Sequence, residues 1–278
     1  MKTKANLMNK LFVYLVLIIV SVFIMIPFLW MVITSLKDQT KVFMFPPQWI
    51  PNPIVWENYI EVFKQQPFLL YFWNSLYIGV IVTAGTCVLS ALAGYAFAKI
   101  SFPLKNGLFL LLLSGLMIPV EVTIIPLFTT FAKLKLSNSH FPLIVPPMLG
   151  AGGAFGVFLM RQFFITVPKE IDEAAKIDGC TPWRIFHTIM LPMCLPAIAT
   201  LSIFTFLNSW NDFLSPLIYV NSDRLFTLPI GLSMFSNING TSWHLIMAAS
   251  VVSALPILIV FFLAQKRFIE GVSLTGIK

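Results

Sequence analysis

The sequence predicts an all-α membrane protein with six transmembrane helices, and three observations carry that expectation. Of its 278 residues, 58% are hydrophobic and only 10% are charged, where a soluble domain carries about a quarter. The charges fall in short clusters separated by long uncharged stretches. Several of those stretches reach the roughly 20 apolar residues that a bilayer crossing needs.

Six spans follow, at about 11–36, 73–98, 107–131, 140–160, 194–220 and 243–265, within a single transmembrane domain covering 1–278. The first is uncharged over 26 residues, longer than the apolar part of a signal peptide, and lacks an Ala-x-Ala cleavage site. It is expected to be retained. The uncharged run 65–98 exceeds one span, so its beginning is placed at the interface. The third span holds Pro119, and the fifth ends in a polar group. Small residues that permit close helix approach are dense at Ser90-Ala91-Leu92-Ala93-Gly94 and at Gly152-Gly153-Ala154-Phe155-Gly156, a packing signal.

Lys and Arg set the expected orientation. With the N-terminus inside, the inner segments hold Lys2, Lys4, Lys10, Lys99, Lys105, Arg161, Lys169, Lys176, Arg184, Lys266, Arg267 and Lys278. The outer segments hold half as many: Lys37, Lys41, Lys64, Lys133, Lys135 and Arg224. Both termini are therefore expected to be cytoplasmic. The net charge of +7 forms no basic stripe interleaved with aromatics, which argues against a nucleic-acid partner.

No catalytic or metal centre is legible. Cys87, Cys180 and Cys194 lack metal-ligand spacing, and His140, His187 and His244 are scattered. No nucleophile–base pairing stands out.

The segment 166–192 breaks the apolar pattern. Lys169–Ile177 is rich in helix formers, with Asp172 and Lys176 four apart, as are Lys169 and Glu173, spacings that support a short helix. Asp178-Gly179 supplies a stop. Thr181-Pro182 is an N-cap and first-turn pair for a second helix, whose Trp183, Phe186 and Met190 share a face and which Pro192 limits. The expected product is a bent amphipathic unit that presents Ile171, Ala174 and Ala175 to a groove on another protein.

Here the sequence resembles a known family. Glu173-Ala174-Ala175, then Gly179, Ile189 and Leu191-Pro192 match the EAA loop of ABC importer permeases at every fixed position, with Gly179 lying 99 residues from the C-terminus. Cys180, where that family commonly has Ala, is a departure. The resemblance implies that this loop forms the coupling helix, with Glu173, Ala174, Ala175, Asp178, Gly179, Ile189 and Pro192 engaging an ATPase subunit. It also implies alternating access driven by ATP, without covalent chemistry on this chain. No Gly-Lys dipeptide occurs, so a Walker A loop is absent. ATP and Mg are expected on partner ATPase subunits, with no cofactor here.

Further segments resemble the shorter permease of maltose-type carbohydrate importers. They are Phe45-Pro46-Pro47-Gln48-Trp49 with Trp56-Glu57-Asn58-Tyr59, Met117-Ile118-Pro119, Trp210-Asn211-Asp212-Phe213, and the tail from Gln265 to Lys278. The resemblance implies a bacterial-type inner-membrane location. It implies four partner chains: a second, homologous permease, two ATPase subunits and an external sugar-binding protein. Segment 222–243 would probe the binding protein, and the tail would reach the ATPase pair.

Two carboxylates lie within spans. Glu121 follows Pro119, and Asp212 follows Asn208, Trp210 and Asn211. A charge at membrane depth costs several kcal/mol unless it faces a cavity or partner. These five residues are therefore the candidates for the substrate path. The competing reading puts either carboxylate at the outer interface, or in a structural pair with the partner permease. An ABC permease for a non-sugar solute and a secondary transporter are the alternatives; the latter would show inverted repeats, and none is visible.

Overall fold

The computed structural model describes residues 2–237 and 240–276, with side-chain surroundings for 9–236, 240–262 and Gln265. Among the described residues the elements are helices apart from a two-rung antiparallel ladder, Ser236 opposite Thr241 and Asn237 opposite Gly240. In chain order the helices are α1 (Lys2–Ser35), α2 (Glu57–Gln65), α3 (Phe68–Lys99), α4 (Lys105–Ser114), α5 (Val120–Lys133), α6 (Phe141–Leu149), α7 (Ala151–Thr166) and α8 (Lys169–Ile177). Then come α9 (Pro182–Met193), α10 (Leu195–Trp210), α11 (Leu214–Tyr219), α12 (Leu228–Ser233) and α13 (Trp243–Gly276). Short 3₁₀ turns lie between some of them.

Four described helical stretches are long and apolar enough to cross a membrane: Asn9–Ser35, Phe68–Lys99, Phe141–Thr166 and Trp243–Phe262. The count is six when each of two bent pairs is taken as one span. The third expected span is not one rod. Lys105–Met117 and Val120–Lys133 meet at 96°. Pro119 has no N–H to continue the ladder, and it holds Ile118 extended, at φ −88 and ψ 114. The fifth expected span begins at a 74° bend at Cys194, between Pro192 and Pro196, where it leaves Pro182–Met193, and its helix stops at Trp210 rather than 220. Asn211-Asp212-Phe213 then forms a break before α11.

The chain divides into two compact units. The first comprises residues 1–68 and 232–255. Within it the side chains described for the apolar part of α1 are exposed through Pro27, as expected of a helix that faces lipid or another chain. The end of α1 is knotted to the following loop. The buried Asn58 carboxamide donates to the carbonyls of Ser35 and Lys37, both at 2.8 Å. Ser35 Oγ lies 2.7 Å from Tyr59 Oη, and Trp30 meets Trp49 edge-on at 5.3 Å. The Trp49 and Asn58-Tyr59 segments that resemble carbohydrate importers thus serve, in this structure, to fasten a loop.

The second unit comprises 69–231 and 256–278. Its main core joins α3, α7, α9 and α10 through Tyr95, Met160, Phe164, Phe186, Met190 and Leu201. Close backbone approach makes this possible. A Cβ on Gly94 would come within 2.7 Å of Met160 Cβ and 2.9 Å of the Arg161 nitrogen. One on Gly156 would strike Ser90 Oγ, with Leu201 Cδ2 at 3.1 Å. A second cluster joins α3, α5, α6 and α11 through Ile78, Ile124, Phe131, Leu143 and Tyr219.

Candidate functional site

The segment between α7 and α10 folds as a helix, a turn and a second helix, and each boundary has a chemical cause. Helix α8 ends in a Schellman turn: the Cys180 N–H donates to the Ala175 carbonyl at 2.9 Å and the Gly179 N–H to the Lys176 carbonyl at 3.0 Å. Gly179 takes φ +73, the left-handed region where a side chain is disfavoured. Thr181 Oγ1 then accepts from the Arg184 N–H at 3.3 Å, with Pro182 at the first helical position of α9. Inside α9, residues Ile185–Met190 form a π-helical stretch, so the Leu191 N–H donates to the Phe186 carbonyl five residues back. Such stretches often occur at functional positions.

Burial divides the loop differently from the sequence expectation. Ala175 is buried and Ile171 half-buried, both packed on this chain's own core with Phe186 and Met190. The small-residue face is therefore an inward anchor, and only Ala174 of the three stays exposed. The outward edge consists of Glu173, Ala174, Lys176, Ile177, Asp178, Gly179 and Trp183. Ile177 is 86% exposed and Trp183 63%, the latter leaning on Phe186 at 5.6 Å. Pro192 is exposed and Ile189 half-buried.

Asp172 also has a different partner. Instead of pairing with Lys176 along the helix, it lies buried, 2.7 Å from Lys99 Nζ at the end of α3. Lys99 Nζ donates as well to the Val167 carbonyl at 2.9 Å. Two more cations close the same helix end. Arg161 Nε donates to the Phe97 carbonyl at 3.2 Å, and Lys105 Nζ to the carbonyls of Ala98 and Ile100 at 3.3 and 2.9 Å. The Arg161 guanidinium lies over the Phe109 ring at 4.2 Å. The Phe97 and Ala98 carbonyls are among the last of α3 and Ile100 follows it directly, at an end where the helix dipole favours positive charge. Sequence reasoning counted all three only as topology-setting charges. The missed signal was their convergence on one uncapped helix end.

The polar residues of the spans fall into distinct roles. Glu121 is exposed in the first turn of α5, just after the break at Pro119. Asn208 is exposed near the end of α10. Asn211 turns its carboxamide N–H back to the Leu207 carbonyl at 2.9 Å. Asp212 Oδ1 accepts from the Ser215 N–H at 3.1 Å, capping α11. Trp210 is buried, against Phe206 and Phe72. A cavity of about 600 Å³ opens between α3, α10 and α13, and none of these five residues lines it. Its walls are apolar apart from Thr83, Cys87 and Ser202.

The external-loop candidate 222–243 is pinned at its start, with 238–239 outside the described residues. Asn74 Nδ2 donates to the Arg224 and Phe226 carbonyls, both at 2.9 Å, and Ser75 Oγ accepts from the Leu228 N–H at 2.8 Å. Asn138 Oδ1 accepts from the N–H groups of Asn221 and Ser222, both at 3.0 Å. The tail side chains from Lys266 onward lie outside those described.

Comparison with known proteins places this geometry. Residues 87–273 match the model of the family described as binding-protein-dependent transport system inner membrane component. The chain is 38% identical, over 82% of its length and 81% of the relative's, to the arabinooligosaccharides transport system permease protein AraQ of Halalkalibacterium halodurans. It is 35% identical, over 97% and 88%, to the probable ABC transporter permease protein YurM of Bacillus subtilis. Its fold matches a chain of a bacterial ABC transporter that imports the acidic polysaccharide alginate, with a TM-score of 0.78, 19% identity and coverage of 94% and 97%. The chain belongs to the binding-protein-dependent transport system inner membrane component family, and is a multi-pass membrane transport subunit of the ABC importer class.

Proposed function

We propose that this permease forms, with a second and homologous permease, the translocation path for a sugar or oligosaccharide delivered by an external binding protein. Two ATPase subunits on separate chains carry the ATP and Mg. Support for a sugar comes from the identity to a permease named for arabinooligosaccharides and from the carbohydrate-type segments around Trp49, Asn58 and Trp210. The loop 166–192 faces the cytoplasm, as do both termini, in keeping with the Lys and Arg bias.

The single observation that carries the coupling role is the capped, inward-anchored turn at 169–193. It holds Glu173, Ala174, Asp178 and Gly179 at the surface beside Ile177 and Trp183. A rigid element with two exposed apolar knobs flanked by charge has the makings of a docking surface. Ala175, Ile189 and Pro192 set its shape from behind. Glu121, Asn208, Asn211 and Asp212 supply polar groups for the path, with Trp210 backing them.

The test is co-purification of the permease pair with its ATPase subunits. In Gly179→Arg the ATPase is expected to be lost while the permease still inserts. Stoichiometric ATPase and normal uptake in that variant would remove the docking role. For the path, Asn208→Ala and Asp212→Ala are expected to lower uptake; normal uptake and normal substrate-stimulated ATP hydrolysis in both would remove it.

A further inference from the structure

Helix α3 is fastened at both ends to loops that lie far apart. At one end Lys99, its side chain 10% exposed, lies between the Asp172 carboxylate and the Val167 carbonyl, so it holds α8 and the turn before it. At the other, the buried Asn74 and Ser75 hold three backbone groups of segment 224–228. From residue 74 to 99 the helix measures about 37 Å at 1.5 Å per residue, the thickness of a bilayer core and part of its interfaces.

The rod between these pins is unbroken. Of the candidate spans among the described residues, α3 alone contains no proline. The others carry Pro27, Pro126, Pro146, Pro196 or Pro256, and two are bent outright. Proline is the commonest cause of kinks. A helix that lacks it, is closed by cations at its last carbonyls, and has Gly94 pressed on α7 resists bending where the others give.

We infer that α3 is a transmission rod: it moves as one body with α8 through Lys99 and carries that motion to segment 224–228 through Asn74. This rests on the reading of α8 as the ATPase-docking element. Displacing α8 alone would strand Lys99 or Asp172 as an uncompensated buried charge, so the lower-cost motion takes α3 along. Lys99 and Asn74 are thus positioning residues, and neither contacts solute or nucleotide.

The experiment uses the assembled transporter with cysteine-free permease, a spin label at Asp223→Cys on segment 222–228 or at Glu170→Cys on α8, and ATP–Mg as the probe. In the unmodified background both labels shift on ATP binding. In Lys99→Met and in Asn74→Ala the α8 label keeps its response and ATPase stoichiometry holds. The response at position 223 is lost in both. Lys99→Arg, which keeps the ion pair, retains it. A normal response at 223 in either Lys99→Met or Asn74→Ala overturns the inference. So does loss of ATPase from Lys99→Met, which would make the ion pair a folding or docking element. Silence of the α8 label in the unmodified transporter instead overturns the docking reading on which this one depends.

Discussion

The ring of Trp210 stacks on that of Phe206, centroids 5.4 Å apart and planes 26° from parallel. Phe72 closes the remaining side edge-on at 5.6 Å. A ring spent on two aromatic neighbours is a packing post for the end of α10. Trp210→Ala is expected to cost about 3–5 kcal/mol, and Trp210→Phe much less. Thermal melting of the detergent-solubilised permease measures this. Unchanged melting with lost uptake would instead make the ring a solute contact.

Gly156 has no room for a side chain, because Ser90 and Leu201 press on it from α3 and α10. Gly156→Leu is expected to destabilise the bundle by about 1–3 kcal/mol through overpacking and to lower the yield of monodisperse protein. Gly107 is the control. Nothing lies within 4 Å of a Cβ there, so Gly107→Ala should be neutral or slightly stabilising through helix propensity.

Lys37 sits just beyond α1, buried, with its ammonium 4.2 Å from the centre of the Trp30 ring. Its Nζ makes no hydrogen bond among the described residues. Burial pushes its pKa below the ordinary 10.5. The folded state then releases this proton before the unfolded state does, so the unfolded chain binds more protons in the window just below 10.5. Stability therefore rises with pH there. The melting temperature of wild type relative to Lys37→Met should climb as pH approaches 10.5, and Lys37→Met should melt no lower than wild type below that window. A difference independent of pH would show that the ammonium is not desolvated.

Much of the architecture was legible because helices in lipid must be long, apolar and separated by charge. The turn at 178–182 was equally legible, since Gly179, Thr181 and Pro182 act through local backbone chemistry and need no distant partner. What sequence reasoning missed was long-range. The i,i+4 spacing of Asp172 and Lys176 was real, but Asp172 lies on the buried face of α8, where Lys99 arrives from 73 positions earlier. The assignment of Ala175 to an outward face failed for a similar reason: Phe186 and Met190 fold back over it from α9. Trp210 and Asp212 stood out as path candidates by residue type alone, which did not show that the one also packs on Phe206 and Phe72 and the other also caps a helix. Residue type does not reveal whether a neighbour has already claimed the group. The bend at Ile118-Pro119 was the reverse case, for the proline was visible and only its angle was not.

That bend has a consequence for solvation. Two helical halves meeting at 96° cannot keep an unbroken i to i−4 ladder, so main-chain carbonyls and N–H groups at the corner go unpaired by the helices themselves. At membrane depth such groups must find water or protein. At the corner beside the exposed Met117, water is therefore expected to pair with the peptide bond itself. Exchanging side chains leaves main-chain polarity in place, so the wet spot would persist while the groups around it were retuned for another solute.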